Sequence, residues 1–437
     1  MPLISRSVKE SILDAQSVIK STTRLSLALT FSVAHEVSKL LLQSAQSSTS
    51  LPSHIQAGNL NPSDLLPPLI RQIYRLNSLA SGAAFARAAI MAMVEGADLV
   101  KWIMSDSLNQ VRWQEFQNKL QVFYLFEYVD AVLDLGSTPT ISLQQMVDRA
   151  AALGSFSSVW ATEGLGRHFA FRHNLGSGLQ PQLLLEPAGG ELSAASLLPL
   201  HTGMGLALAE LSLAKKEGRG NLAKAFLEAC RYNARPEYLG ATIEAIGLVA
   251  RSLYPELIRL LDRQFSEIGN ELRAYFWHGV GRGVYFLPSN LFPCGDAPWP
   301  GYEMCAREPP DALGRENAMA GYTWALLLVN IRHPRVIAAF LEDRRVTARE
   351  DLALANGLFS AIVIWLESAA HDANLASFLA SPPGLKQSEF ELWARYVRPK
   401  VQNAVEYHRT PWREIGQLFR YRPPGFADSQ KDCKFRA

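Results

Sequence analysis

Glycine recurs along this chain at a nearly fixed interval, inside segments that otherwise favour helix. Gly164, Gly203, Gly240, Gly279, Gly321 and Gly357 sit in similar settings, separated by 39, 37, 39, 42 and 36 residues. A period of that length fits a unit of two helices and two turns. A helical glycine costs about 1 kcal/mol relative to alanine, so repeating it calls for a compensating contact, and close approach of a neighbouring helix is the natural one. A small residue follows one turn later at Ala207, Gly283, Ala325 and Ala361, and Gly82 with Ala86 repeats the pattern two periods upstream of Gly164. Positions four apart share a helix face, so each first helix presents a flat stripe. His168 and Glu244 break the rule; each marks either a wider gap or a different register, or a polar group directed into a cavity. Second helices are expected over 221–232, 255–265 and 334–341, with Pro255 and Pro334 in the first turn, where proline is tolerated.

The period decides between the two shapes that 437 residues with 48% apolar and 19% charged content allow: an extended array is favoured over two separate cores. Strand alternation never persists, so the fold class is all-α, an α-solenoid or α/α array of two-helix units. The expected organisation is an N-terminal amphipathic helical arm (1–45), a polar Ser/Gln/Pro linker (46–65), the repeat domain (66–383) and a basic C-terminal helical cap and tail (384–437). The apolar stretch from Leu25 to Leu42 is interrupted by His35, Glu36 and Lys39, which argues against a membrane span. Cytoplasmic location is expected, with peripheral membrane contact through the arm or the tail as an open alternative. The four cysteines (Cys230, Cys294, Cys305, Cys433) form no C-x-x-C pair, against a zinc site. Cys294 and Cys305 flank a Pro-rich loop within the longer Pro-rich loop 287–316; free thiols are favoured over a disulfide. That loop reads as a lid or as a passive insertion. The net charge of +2 argues against nucleic acid as a partner, although residues 386–437 alone hold a net +5. Basic and aromatic residues interleave there, which suits an anionic surface or, as favoured, a cap whose arginines snorkel over the last repeat.

Four motifs occur in an order that resembles a bacterial family, the UnbL-type proteins associated with enediyne biosynthesis clusters. They are Ala161-Thr162-Glu163-Gly164-Leu165-Gly166-Arg167, Leu200-His201-Thr202-Gly203-Met204-Gly205-Leu206-Ala207-Leu208-Ala209, Trp277-His278-Gly279-Val280-Gly281-Arg282-Gly283-Val284-Tyr285-Phe286 and Ala320-Gly321-Tyr322-Thr323-Trp324-Ala325. The third is the most specific, and the likeness covers about residues 80–365. The second departs from the family pattern in lacking a tryptophan and a following arginine. The resemblance implies a helical protein accessory to making or handling a polyketide-like natural product.

The common catalytic signatures are absent: there is no Gly-x-Gly-x-x-Gly, phosphate-binding loop, Gly-x-Ser-x-Gly or His-Glu-x-x-His. Asp130 with Asp134, and Glu367 with His371, have one-turn spacing and are weak metal candidates; no metal or cofactor is expected. The better candidates hold equivalent places in the repeat. If the first helices line a concave side, Glu163, Arg167, His201, Glu244, His278 and Arg282 project toward a shared hollow walled by Trp277, Tyr285 and Trp324. There a histidine can act as acid or base, and Arg167 or Arg282 can neutralise a carboxylate or enolate. Against this, Glu163 and Arg167 can simply pair within their helix, and the aromatics can be core. The leading function is a non-catalytic accessory protein binding a hydrophobic small molecule or a protein partner. The alternatives are an enzyme acting on a polyketide-like substrate through His278, His201 and Glu163, and a peripheral membrane scaffold.

Overall fold

The computed structural model describes residues 107–135, 141–177, 184, 192–214, 219–287, 290, 299–343, 348–382, 384–411 and 413–421. The expected N-terminal arm, the linker, the Gly82 unit, Cys294 and Cys433 lie outside these residues.

Among the described residues every regular element is helical. Apart from a one-turn helix at Val129–Val132 and short 3-10 and π turns, in chain order they are α1 (Ser107–Glu127), α2 (Leu143–Ala151), α3 (Ser155–Ser177), α4 (Ala194–Leu213), α5 (Leu222–Asn233), α6 (Leu239–Leu253), α7 (Ile258–Ile268) and α8 (Asn270–Tyr285). There follow α9 (Pro300–Arg307), α10 (Ala312–Asn330), α11 (Pro334–Asp343), α12 (Ala348–Ala369), α13 (Ala373–Ala380), α14 (Gln387–Leu392) and α15 (Arg398–Arg409). Side chains close several of the starts. Ser142 and Gln145 form a reciprocal capping box on α2, and Asp311 and Asp372 accept from Gly314 and Leu375 at the heads of α10 and α13. Pro255 shapes a short 3-10 turn before α7, while Pro334 opens α11 directly.

Two kinds of helix alternate. The second helices α5 and α7 are amphipathic, burying Leu222, Phe226, Leu227 and Cys230 in one and Ile258, Leu261 and Phe265 in the other. The first helices α4, α8 and α10 are buried almost all round, as expected of helices flanked on two sides by others. Sequence-adjacent packing runs α3 on α4, α4 on α6, α6 on α8, α8 on α10 and α10 on α12. α12 then reaches back to α4 and α3, where Trp365 stacks on Phe156 with ring centroids 5.6 Å apart. One described helix, α12, is long and apolar enough to cross a membrane; its apolar window is 61% buried in this packing.

The glycines work in pairs. Residues two apart lie about 200° apart around a helix, so Gly203 and Gly205 face opposite neighbours. A methyl group on Gly203 would strike the Glu163 carbonyl of α3, and one on Gly205 would come within 2.5 Å of the Thr242 carbonyl oxygen of α6. Gly164 and Gly166 serve α1 and α4 in the same way, and Gly279 and Gly281 serve α6 and α10. The expected one-sided stripe holds on α8, where Gly279 and Gly283 both face α6. The wider rule is one glycine per neighbour.

Three sequence expectations change here. The 287–316 stretch is not structureless where it is described, since Pro300–Arg307 is helical and α10 begins at Ala312. Proline at the first helical position starts α9 rather than breaking it. Asp130 and Asp134 do not share a helix face, because the short helix there ends at Val132 and Asp134 sits beyond it at φ +50°. Glu367 does not pair with His371; it takes Arg413 and His408 of the C-terminal segment. That segment lies across the body of the protein. α15 packs on α12, Arg420 pairs with Glu271 of α8 at 2.7 Å, and the Tyr421 amide donates to Asn317 of α10 at 2.7 Å.

Candidate functional site

The glycine contacts bring α3, α4, α6 and α8 close enough for buried charges to meet across them. Glu244, which stands where other units carry a small residue, is fully buried on α6. Its carboxylate accepts from Arg282 Nη1 at 3.2 Å and lies 3.1 Å from His278 Nδ1. His278 and Arg282 are one turn apart on α8, so one helix face delivers both. Nη2 of Arg282 donates to Glu163 of α3, and the guanidinium lies over the Trp324 ring, 5.0 Å from its centroid. The His278 ring meets the same indole edge-on. With Nδ1 turned to a carboxylate, Nε2 of His278 is buried and has no partner among the described residues. Burial pushes the Glu163 carboxyl above its usual range, Arg282 opposes the shift and Glu244 adds to it.

A second cluster sits one turn along α3. Arg167 grips Glu210 of α4 with both arms of its fork, Nε to Oε1 at 2.6 Å and Nη2 to Oε2 at 3.0 Å. Its Nη1 donates to Glu127 of α1 at 3.3 Å. Paired carboxylates hold the guanidinium protonated far beyond its ordinary range despite burial. Glu163 and Arg167 therefore do not form the intrahelical pair that their spacing allows; each pairs with other helices. A third cluster has Lys119 of α1 between Glu115 at 2.9 Å, the Asn290 carbonyl at 2.8 Å and the face of Tyr285 at 4.0 Å.

These clusters meet at a half-open cavity of about 160 Å³ between α1, α3, α4, α6 and α8. Its walls are apolar, formed by Leu120, Phe123, Phe126, Trp160, Leu206, Val249 and Phe286 among others. The ionic groups reaching it are Lys119, Glu127, Glu163, Arg167, Glu210 and Arg282. Of the sequence-derived candidates, Glu163, Arg167 and Arg282 line this cavity. Glu244, His278 and Trp324 stand behind Arg282 and fix it.

The remaining candidates lie elsewhere. Nδ1 of His201 donates to the Leu197 carbonyl at 2.7 Å, and Nε2 accepts from the Arg235 amide at 3.1 Å. Both ring nitrogens are thus used by backbone, and burial pushes this imidazole down to about 4. Trp277 turns toward α7 and donates to Asp262 at 2.7 Å. Tyr285 accepts from Asn330 at 2.8 Å beneath Lys119. The hollow is thus walled by Phe123, Phe126, Trp160 and Phe286 rather than by Trp277, Tyr285 and Trp324. Sequence reasoning missed Glu127, Glu210 and the Glu115–Lys119 pair. Glu210 had a signal, as a lone charge in the apolar run Leu206-Ala207-Leu208-Ala209-Glu210-Leu211; the α1 residues had only helical spacing. Among the described residues no group of three or more His, Cys, Asp or Glu is placed to hold a metal ion. Cys230 and Cys305 are buried free thiols, both pushed up by desolvation.

The titration of Glu127 is displaced toward neutral pH. Burial raises it from the ordinary 4.5 to about 7, Arg167 pulls it down, and Glu210 and Asp130 push it further up. A carboxyl raised on folding makes the native state bind the extra proton, so its contribution to stability falls as pH rises from about 4.5 to about 7 and is flat above. Wild type should lose about 2–3 kcal/mol between pH 5 and pH 8 through this group, and Glu127→Gln should remove most of that slope. Urea unfolding at the two pH values measures it; equal slopes in the two proteins would show that Glu127 does not titrate in this range.

No protein-family model matches the chain, and no curated protein or solved structure matches it significantly.

Proposed function

We propose that the chain is a helical repeat array whose first helices enclose a binding site for an apolar small molecule, and that holding this molecule, rather than transforming it, is its function. The observation that carries this reading is the cavity, which has the form of a ligand site: apolar walls, few polar groups, and those groups held rigid. Rigidity follows from the glycine contacts and from guanidinium groups each gripped by two carboxylates. The resemblance to proteins of natural-product clusters supplies a context in which a polyketide-like ligand is expected. Acid–base chemistry is the second reading, favoured by Glu127 titrating near neutrality. The trio His278, His201 and Glu163 is not its basis, because His201 is occupied by backbone groups.

Native mass spectrometry of freshly purified protein tests the proposal. Wild type should carry a co-purifying apolar molecule, and Ser252→Trp should release it. Ser252 lines the cavity and is only partly buried, so an indole there fills space at small cost to the fold. Equal ligand occupancy in both proteins, with unchanged melting, would overturn the cavity as the site. Conversion of the bound molecule on incubation, lost in Glu127→Gln, would favour the second reading.

A further inference from the structure

We infer that the ligand of this cavity carries a positive charge: a protonated amine or a quaternary ammonium on an apolar body. The inference rests on the cavity being a ligand site and adds the class of ligand. Among the described residues, every cation that reaches the cavity is already engaged. Arg282 lies between Glu163 and Glu244, Arg167 lies between Glu210 and Glu127, and Lys119 is matched by Glu115 and capped by a carbonyl and a ring. Each arginine faces two carboxylates, so each cluster holds one negative charge in excess; a protonated His278 would offset one of the two. A ligand carboxylate would find no open guanidinium among the described residues. The expectation that Arg167 or Arg282 receives an anion is therefore set aside.

The excess charge has a location. Glu127 gives Oε2 to Arg167 and Glu163 gives Oε1 to Arg282; the other oxygen of each has no hydrogen-bond partner among the described residues. Both side chains line the cavity, and the two positions are neighbours, because Gly164 packs against the Phe126 carbonyl. The surrounding walls suit a cation as well, since aromatic faces such as those of Phe123, Trp160 and Phe286 attract positive charge once water is displaced. Burial raises the titration of Glu127 and Glu163 against the pull of their arginines, with neighbouring carboxylates adding to it, and a cation seated beside them would oppose that shift.

Three probes of one size separate the possibilities: phenyltrimethylammonium, its neutral isostere tert-butylbenzene, and benzoate, each titrated into the full chain by calorimetry or ligand-observed NMR. At pH 8 the ammonium should bind at least about tenfold more tightly than the neutral isostere, and benzoate should not bind. At pH 5.5 the preference should shrink severalfold, because this probe does not titrate while Glu127 gains a proton. Among the described residues Arg167, Glu210 and Asp130 act on Glu127, and Lys119, Glu163 and Arg282 line the same cavity; of these Glu163 moves in the same direction. Glu127→Gln should reproduce the pH 5.5 behaviour at pH 8. Glu163→Gln provides a second variant, in which Arg282 keeps Glu244. An isostere that binds as tightly as the ammonium at pH 8 overturns the charge assignment and leaves the cavity reading in place. Binding of none of the three at millimolar concentration overturns both. A cation preference that survives both substitutions overturns the placement of the charge at Glu127 and Glu163.

Discussion

Gly203→Ala is expected to destabilise the protein by about 3 kcal/mol or more, against the usual sign of a glycine-to-alanine change in a helix. On propensity alone the substitution should gain about 1 kcal/mol. The new methyl group, however, would overlap the carbonyl oxygen of Glu163 and press on the amide of Arg167. Both are backbone atoms of a buried helix, so no side chain can rotate away, and α3 and α4 must separate. Overpacking of that kind costs about 1–3 kcal/mol even where side chains can yield. Separation would also pull Glu163 and Arg167 out of register with their partners. Gly220→Ala is the control, since a Cβ there meets nothing within 4 Å; it should be neutral within about 0.5 kcal/mol. Paired denaturation curves decide the matter. A Gly203→Ala protein as stable as wild type would refute close backbone packing as the reason for the glycine period.

Arg282→Met should cost about 3–5 kcal/mol, because it strands two carboxylates in the interior. The loss is not the worth of the ion pairs but the penalty for charges left without a partner. It should therefore depend on pH. With the guanidinium gone, nothing opposes the burial that raises Glu163, so the folded state favours its protonated form more strongly and the variant recovers as pH falls and is weakest above neutrality. Adding Glu163→Gln and Glu244→Gln to the same chain should restore much of the stability at pH 8. If the triple variant is no better than Arg282→Met alone, the cost arises from lost packing over Trp324 and not from charge.

How far the sequence disclosed this arrangement differs between its parts. The period of Gly164, Gly203 and their successors was open to reading because helix contacts between adjacent units are local along the chain and leave a regular mark. Glu244 showed as an anomaly for the same reason, occupying a place that the pattern reserves for a small side chain. Which charge meets which was not legible. Glu163 and Arg282 are separated by 119 positions and Arg167 and Glu210 by 43, and nothing in local spacing distinguishes those pairings from Glu163 with Arg167 on one helix. The hollow was foreseen but its walls were not: Trp277 and Tyr285 share a helix with Arg282, yet the turn of that helix points Trp277 toward α7 and Tyr285 toward Asn330. Glu127 and Lys119 belong to α1, which lacks a glycine and so gave no sign that it closes the cavity.

If the cavity holds a ligand as proposed, the paired glycines also set the manner in which that ligand would come and go. Helices whose backbones touch cannot slide or roll past one another, because no cushion of side chains lies between them to rearrange. The α3, α4, α6 and α8 walls of the cavity therefore keep nearly constant dimensions, and passage would depend on rotamer changes of partly exposed side chains lining it such as Leu253 and Leu287. Such flips take picoseconds to nanoseconds in exposed residues rather than the microseconds to milliseconds of a domain movement. Exchange should accordingly be quick and almost free of hysteresis, and discrimination among ligands should come from fixed size and fixed charge instead of from closure around the guest.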